Sequence, residues 1–315
     1  MITDSLDKGI VCVTGATGMV GSKITALLLS HGYTVRILTR KSYPATSDAE
    51  VFKGNIQDED MLRNFMRGAK IVFHCAAELK DESQMEAVNV RGTELVLKIA
   101  EISGIKYFCY LSSVGVIGST NVKTPNELTA CNPQNTYEKT KWASEQIVAR
   151  GIKGCKVVIL RPTNVIDEER PGVLAIPNRG SFLDFCKVFV KGGECAHIVH
   201  AEDVAAAALH FISYPMGTTP ECYIVSCDRE PLNTLAGLWA LYNAFRNKKE
   251  LQDLPPPVHL PLIVPYILRK ILRIKCNMGN IRYSSEKLLK TGFTFKLGLK
   301  GAIDRIASAS GGAQV

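Results

Sequence analysis

The pattern of apolar and polar residues changes along the chain, and the change predicts its architecture. In the first half, short apolar runs alternate with segments whose apolar residues recur at helical spacing. This alternation is typical of βαβ units on a parallel sheet, and runs that are apolar throughout indicate that helices cover both faces. The predicted strands are residues 10–14, 34–39, 71–75, 107–111 and 157–160, and the predicted helices are 20–29, 61–66, 90–102 and 137–149.

The regularity ends after Arg161 and Pro162, where glycines and prolines become frequent and indicate loops. Further elements are predicted as helices near 181–190, 202–212, 232–246 and 262–273 and a strand near 222–226. We expect an α/β fold, a doubly wound parallel sheet with a smaller C-terminal domain. The sheet domain should comprise residues 1–165 and 196–228, and the smaller domain, which would bind the substrate, residues 166–195 and 229–315.

Charge and composition narrow the classes of partner. The net charge of +8 is spread over 315 residues without a run of five like charges, so we expect no nucleic acid partner. Segment 258–274 is apolar and basic, but two prolines interrupt it, and a packed lid is favoured over contact with a membrane. We therefore expect a small-molecule partner and no membrane, with a homodimer left open.

Cysteine, histidine and the N-terminal residues bear on location and metal binding. The ten cysteines include no C-x-x-C pair, which favours a reduced interior. The N-terminus has no signal-peptide pattern and no stretch is long and apolar enough to span a bilayer, so we expect a cytoplasmic protein. Six histidines without ligand spacing predict no metal site.

A glycine-rich turn joins the first predicted strand to the first predicted helix. Gly15, Gly18 and Gly21 follow the spacing G-x-x-G-x-x-G. Glycines there allow a tight turn and close approach of a pyrophosphate, and the helix N-terminus supplies amides and a favourable dipole. The predicted dinucleotide contacts in this turn are Gly15, Thr17, Gly18, Met19, Val20 and Gly21.

A second motif carries acid–base chemistry. Tyr137 and Lys141 are four residues apart, so they share one face of a predicted helix. A phenol is a poor base at neutral pH, and we expect the Lys141 ammonium to lower the pKa of Tyr137 into a useful range. Ser113 follows a predicted parallel strand, where it could hydrogen-bond a reacting oxygen.

Together these motifs resemble the short-chain dehydrogenase/reductase superfamily, specifically its extended branch, the NAD-dependent epimerase/dehydratase family. Further matching segments stand in family order at residues 54–58, 73–77, 89–93, 111–113, 160–162 and 199–204. The resemblance implies a Rossmann fold and catalytic roles for Ser113 (rather than Ser112), Tyr137, Lys141 and Asn89, with Lys141 also holding the nicotinamide ribose. Asn89 and Asp58 could instead be helix N-caps, and we expect His74 to pack near the cofactor rather than transfer protons.

The resemblance also implies the remaining site residues. Beyond the glycine turn, the predicted cofactor contacts are Arg40, Lys41, Asn55, Ile56, Asp58, Cys75, Ala76, Ala77, Tyr137, Lys141 and Pro162. The predicted substrate contacts are Ser113, Val114, Asn164, Asn178 and His200, although His200 with Asp203 could instead tie the substrate loop to the sheet. Because Thr39 stands where an acidic residue would select NAD(H), and Arg40 and Lys41 follow it, NADP(H) is favoured, with NAD(H) as the alternative.

The resemblance predicts an NAD(P)-dependent epimerase or reductase. Nucleotide sugars are the first expectation for the substrate, with Asn178, Arg179 and Lys191 as phosphate contacts. The alternative is a 3β-hydroxysteroid-type dehydrogenase or a reductase of an apolar carbonyl compound. This alternative is favoured by Ile117, which stands where the family usually has a tyrosine after the serine motif. It is also favoured by the apolar helix near 262–273, which could line the pocket. A non-catalytic NADP-binding regulator is a further alternative, although Ser113, Tyr137 and Lys141 are all present.

Overall fold

A seven-stranded parallel sheet is the centre of the computed structural model, which describes residues 9–40, 48–170, 182–253, 257–272 and 278–311. Its strand order is β3-β2-β1-β4-β5-β6-β9, and every neighbouring pair is parallel. The strands are β1 (Ile10–Thr14), β2 (Thr34–Thr39), β3 (Glu50–Lys53), β4 (Ile71–His74), β5 (Tyr107–Leu111), β6 (Lys156–Pro162) and β9 (Glu221–Val225), and a separate two-stranded parallel sheet pairs β7 (Asn164–Ile166) with β8 (Ile198–His200). The predicted α/β fold is confirmed.

Helices flank the sheet. They are α1 (Met19–Ser30), α2 (Glu59–Met66), α3 (Glu82–Met85), α4 (Gly92–Ile102), α5 (Thr136–Val148), α6 (Phe182–Lys191), α7 (Ala201–Ser213), α8 (Leu235–Arg246), α9 (Ile263–Ile271), α10 (Glu286–Leu289) and α11 (Gly298–Gly311). The predicted helix at 90–102 begins earlier than expected, because a π-helical turn, Glu86–Arg91, leads into α4. Strand β3 was not predicted because it is an edge strand whose Glu50 and Lys53 are exposed, so it lacks the apolar run of a central strand.

Each face of the sheet has its own apolar core. On one face, Ile24 of α1 and Phe211 of α7 are buried in the cluster that includes Val13 of β1. On the other face, Leu62 of α2 and Val96 of α4 are buried in the cluster that includes Val72 of β4. Near-continuous apolar strands therefore occur because both sides of the sheet are covered, as the sequence predicted.

The strand order creates a crevice beside β1. The chain runs from β1 to β2 on one side and later from β4 to β5 on the other, so the connections diverge at the carboxyl ends of β1 and β4. Ligands of open α/β sheets bind at such a switch point. The topology therefore puts the glycine turn, which follows β1, at the position where a ligand is expected.

The later part of the chain packs around β7, β8 and three helices. Helix α11, which was not predicted, lies against α8 and β8, and α6 also packs against α8. Asp203 of α7 joins this part to the sheet helices, since its carboxylate accepts hydrogen bonds from the backbone N–H groups of Leu297 (3.0 Å) and Gly298 (2.9 Å). The division into two domains stays a prediction.

Among the described residues, no helix has the length and apolarity needed to cross a bilayer.

Candidate active site

A cavity of about 580 Å³ opens at the carboxyl ends of β1, β4 and β5. It brings together most of the residues that the sequence predicted for cofactor and substrate. The predicted residues on its wall are Gly15, Thr17, Gly18, Met19, Val20, Gly21, Arg40, Asn55, Ile56, Cys75, Ala76, Ala77, Ser113, Tyr137, Lys141, Pro162 and Asn164. Lys41 and Asn178 lie outside the described residues.

The glycine turn is as tight as its spacing predicts. Gly15 has φ +71°, and a Cβ there would lie 2.6 Å from the backbone nitrogen of Ala76. A Cβ on Gly21 would lie 2.2 Å from the carbonyl oxygen of Gly15, so α1 packs directly against the turn. Helix α1 begins after Gly18 with no side-chain cap, which leaves its first amides available to an anion. The turn therefore fits a dinucleotide pyrophosphate.

Ser113 and Tyr137 lie in contact on the cavity wall. Ser113 precedes a short 3₁₀ helix, and its Oγ accepts a hydrogen bond from the backbone N–H of Gly115 at 3.0 Å. Burial raises the pKa of Tyr137 to about 12, while its hydrogen bond with the Ser113 side chain acts in the opposite direction. The hydroxyls of both residues are thus directed to one point on the wall.

Lys141 lies on the cavity wall, but its ammonium group is bonded to the protein. Its side chain is only 3% exposed, its Nζ donates a hydrogen bond to the carbonyl oxygen of Leu111 at 2.6 Å, and Nζ lies 4.2 Å from the centroid of the Tyr110 ring. Burial lowers the pKa of Lys141 to about 7. The expectation that its ammonium lowers the pKa of Tyr137 is wrong for this structure, because Lys141 is bonded to β5 and burial dominates at Tyr137.

The two adjacent serines have separate environments. Ser112 is buried and donates a hydrogen bond to Glu145 Oε2 at 2.6 Å. Glu145 in turn forms a buried ion pair with Arg161 of β6, which donates from Nε at 3.1 Å and from a second guanidinium nitrogen. Both serines line the cavity, but the Ser112 side chain belongs to a buried network with Glu145 and Arg161, whereas Ser113 lies beside Tyr137.

His74 lies beneath the cavity as a buried connector. Its ring nitrogens form hydrogen bonds with Thr14 Oγ1 at 2.7 Å and Thr93 Oγ1 at 2.9 Å. Burial, aided by the charge of Lys141, lowers the pKa of His74 to about 3. A neutral ring with both nitrogens occupied is suited to joining β1, β4 and α4 and not to proton transfer, as the sequence predicted.

Asn89 lies behind the cavity wall and not on it. It is buried in the π-helical turn, where Oδ1 accepts from the backbone N–H of Glu78 at 2.7 Å and Nδ2 donates to the Glu78 carbonyl at 3.0 Å and to Thr140 Oγ1 at 3.1 Å. These bonds fix the segment after β4 to the helix that carries Tyr137. Because Asn89 lies inside the π-helical turn, it is not an N-cap, and its catalytic role stays a prediction.

Three other predicted contacts lie off the described cavity wall. Asp58 caps α2, since its carboxylate accepts from the backbone N–H of Met61 at 3.0 Å. Val114 is buried in a small apolar cluster with Val116 and Ile117. His200 is fully buried, caps α7 through the N–H of Glu202, and lies 3.4 Å from Glu168, so it ties β8 to its surroundings and does not lie on the cavity wall.

The far end of the cavity, beyond β2, is positively charged. Arg40 is exposed on the wall after β2, and its charge contributes to lowering the pKa of Glu78, an effect that comes mainly from backbone N–H groups of Lys80 and Asp81. None of the described wall residues is acidic.

Sequence reasoning missed several wall residues and one neighbouring cluster. Leu38, Leu79, Thr163 and Val165 line the cavity. Beside Asn164, whose N–H donates to the His197 carbonyl at 2.8 Å, the His197 ring pairs with buried Asp228 at 2.5 Å. The sequence signal that could have indicated this cluster was the position of His197, three residues before the predicted site residue His200. The expected lining by the helix near 262–273 is not observed, since α9 contributes no described residue to the wall.

A dinucleotide cradle at a topological switch point, with a serine, a tyrosine and a lysine on its wall, defines a nicotinamide-dependent short-chain dehydrogenase/reductase site. The model of the NAD-dependent epimerase/dehydratase family matches residues 11–225. The chain belongs to this family, whose extended short-chain members are oxidoreductases and epimerases.

Individual relatives differ in what they act on. A 3β-hydroxysteroid dehydrogenase/Δ5→4-isomerase of Mycobacterium tuberculosis is 30% identical over 253 residues, covering 72% of this chain and 67% of that protein. The N-acetyl-α-D-glucosaminyl-diphospho-ditrans,octacis-undecaprenol 4-epimerase of Escherichia coli O157:H7 is 26% identical, covering 94% and 93%. A short-chain dehydrogenase/reductase superfamily protein of Agrobacterium tumefaciens with bound NAD has a TM-score of 0.73 at 21% identity, covering 96% and 97%.

Proposed function

We propose that the protein is an NAD(P)-dependent oxidoreductase that interconverts a secondary alcohol and a ketone on an apolar ring compound of the hydroxysteroid type. The observation that carries the reaction is the placement of Ser113, Tyr137 and Lys141 on one wall of a cavity that also holds the glycine turn. Tyrosine in hydrogen-bond contact with a serine is suited to exchange a proton with an alcohol oxygen.

The residues fit a dinucleotide. The first amides of α1 and the close-packed Gly15 would hold the pyrophosphate, and Tyr137 and Lys141, which line the same cavity, would lie beside the nicotinamide. A bound nicotinamide supplies or accepts a hydride at the carbon that bears the oxygen. Tyr137 transfers the proton of that oxygen and Ser113 holds the oxygen by a hydrogen bond, while Lys141, bonded to the Leu111 carbonyl, holds its face of α5 against β5.

The substrate class is inferred from the charges on the wall. Arg40 and Lys141 are the cations among the described wall residues; Arg40 lies beyond β2 and Lys141 is bonded to Leu111. A nucleoside diphosphate would need a further counter-ion on the substrate side. Of the expected phosphate contacts, Lys191 is exposed on α6 and Asn178 and Arg179 lie outside the described residues. Leu79 and Val165 favour an apolar ligand instead.

For the cofactor, we propose a preference for NADP(H). Arg40 is exposed at the end of β2 with no acidic residue on the described wall, and a guanidinium pairs well with a 2′-phosphate. Replacing Arg40 with alanine should weaken NADPH binding more than NADH binding in fluorescence titrations. Tighter binding of NADH by the unaltered protein would reject this preference.

The substrate is tested by turnover and thermal shift. A 3β-hydroxysterol with NADP⁺ or NAD⁺ should give a rise in absorbance of the reduced cofactor, and sterols should raise the melting temperature. The Tyr137→Phe variant should still be stabilised by sterols while turnover falls. Stabilisation by nucleotide diphosphate sugars without any response to sterols would contradict the proposed class.

Epimerisation of a nucleotide-linked or lipid-linked sugar is the second candidate. It is supported by the 4-epimerase relative, whose similarity extends over 93% of that protein. An epimerase returns its hydride to the substrate and shows no net change in the nicotinamide. Conversion of a UDP-linked N-acetylhexosamine into its C4 epimer, measured by chromatography, would therefore favour this candidate over the first.

A further inference from the structure

Large apolar side chains are exposed on two helices that do not line the cavity. Eight of the fifteen exposed large apolar side chains among the described residues lie on α6 and α9 and the residue that follows α9. They are Phe182, Phe185, Phe189, Ile263, Ile267, Leu268, Ile271 and Leu272, called the α6–α9 face below. Phe182 is 78% exposed and Ile271 is 70% exposed. An exposed patch of this kind marks an interaction site.

The C-terminal end of α6 and the residues after it contact α9 and the residues before it. The backbone N–H of Leu260, just before α9, donates to the carbonyl oxygen of Phe189 on α6 at 2.8 Å. Arg269 of α9 forms an ion pair with Glu194, which follows α6. Val188 and Pro265 are buried, so each helix has one side against the protein and its apolar side outward.

Positive charge surrounds this apolar surface. Lys187, Lys191 and Lys270 are exposed on the same two helices. In the described stretch 257–272 the charged residues are Arg269 and Lys270, with no Asp or Glu, and α6 carries one acid in its sequence, Asp184. Apolar and aromatic residues bordered by lysines are typical of helices that lie in a membrane interface.

We propose that the α6–α9 face docks on a membrane surface that contains anionic phospholipids. The apolar side chains would enter the boundary between headgroups and acyl chains, and the lysines would pair with headgroup phosphates. A symmetric dimer through this face would oppose like charges, because such an interface pairs the same patch with itself. The proposal is independent of the proposed substrate, since membrane binding is measured without turnover.

Vesicle flotation with the full chain tests the proposal. The protein should float with vesicles of phosphatidylcholine mixed with phosphatidylglycerol, float much less with phosphatidylcholine alone, and dissociate as salt rises. Phe185→Ser and Ile271→Ser should each weaken binding about tenfold, because each removes an inserted apolar side chain. Lys187→Glu should weaken it at least about fivefold.

Matched controls separate this surface from general effects. Leu128→Ser removes an apolar side chain that is 93% exposed on a loop away from the face, and Lys153→Glu reverses an exposed charge after α5. Neither should change vesicle binding, and all variants should melt as the unaltered protein does. The proposal is overturned if the unaltered protein ignores anionic vesicles, if the controls weaken binding equally, or if sedimentation shows a dimer that Phe185→Ser and Ile271→Ser dissociate.

Discussion

Helix α5 and the α6–α9 face depart from the usual distribution of side chains in opposite directions. On α5, Lys141 and Glu145 are buried, and each has hydrogen bonds that offset the loss of water. On the α6–α9 face, phenylalanine and isoleucine side chains are exposed, and no described part of the chain covers them. Each departure is costly for an isolated fold, since buried charge and exposed apolar surface are both disfavoured.

This contrast distinguishes a region suited to catalysis from a surface suited to binding a partner. Tyr137 and Lys141 of α5 line one cavity, where low solvent access strengthens charges and hydrogen bonds. The exposed apolar side chains of the α6–α9 face form a surface without a cluster of polar atoms. Such a surface suits a partner that is bound by burial of apolar area and by attraction of opposite charge. The predictions below test the two regions against each other.

The largest effect is expected at the reactive end of α5. Tyr137→Phe should lower kcat by about 10²–10⁴-fold, because it removes the group proposed to move the proton. Cofactor binding and the melting temperature should change little. Steady-state kinetics and fluorescence titration measure both, with Tyr33→Phe, outside the cavity, as control. Retention of most activity by Tyr137→Phe would remove the tyrosine from the mechanism.

The next effect concerns the ion pair under the cavity floor. Arg161→Met should lower the free energy of unfolding by about 3–5 kcal/mol, because it leaves the Glu145 carboxylate buried without its cation. Adding Glu145→Leu should restore most of the loss. Arg63→Met breaks an exposed pair with Glu59 and should cost less than about 1 kcal/mol. Urea denaturation measures all three, and equal losses for the buried and exposed pairs would contradict the assignment.

A smaller effect of opposite sign is expected at Lys141. Burial lowers its pKa from 10.5 to about 7, so the unfolded chain binds more protons than the folded one between these pH values. Stability of the unaltered protein should therefore rise with pH across this window. Lys141→Met should be more stable by about 1 kcal/mol at pH 7 and lose that advantage as pH approaches 10.5. Lys139→Met, an exposed neighbour, should show no such pH dependence in urea denaturation.

The smallest effect is expected on the α6–α9 face. Ile271→Ser should change the free energy of unfolding by less than about 0.5 kcal/mol, because that side chain is already in water. Ile24→Ala, in the core between α1 and the sheet, should cost about 2–5 kcal/mol. Thermal or urea unfolding compares them. A large loss for Ile271→Ser would mean that the side chain packs against the protein in solution.

The parts of the site that sequence predicted are those encoded by near neighbours. The glycine turn follows from three glycines at fixed spacing after an apolar strand, and the structure gives Gly15 the positive φ that such a turn requires. Tyr137 and Lys141 share a helix face because they are four residues apart. The central strands were predicted because burial on both faces leaves an apolar run.

Tertiary structure decided where each of these side chains is directed. Lys141 bonds to Leu111, thirty residues away in sequence, and Asn89 reaches Thr140 across fifty-one. His200 is buried beside Glu168, and α9 turns its apolar side to solvent instead of to the cavity. Periodicity determines which residues share a face of one element, because it depends on local backbone geometry. Which face meets the cavity depends on contacts between elements distant in sequence, and only the packed fold contains that information.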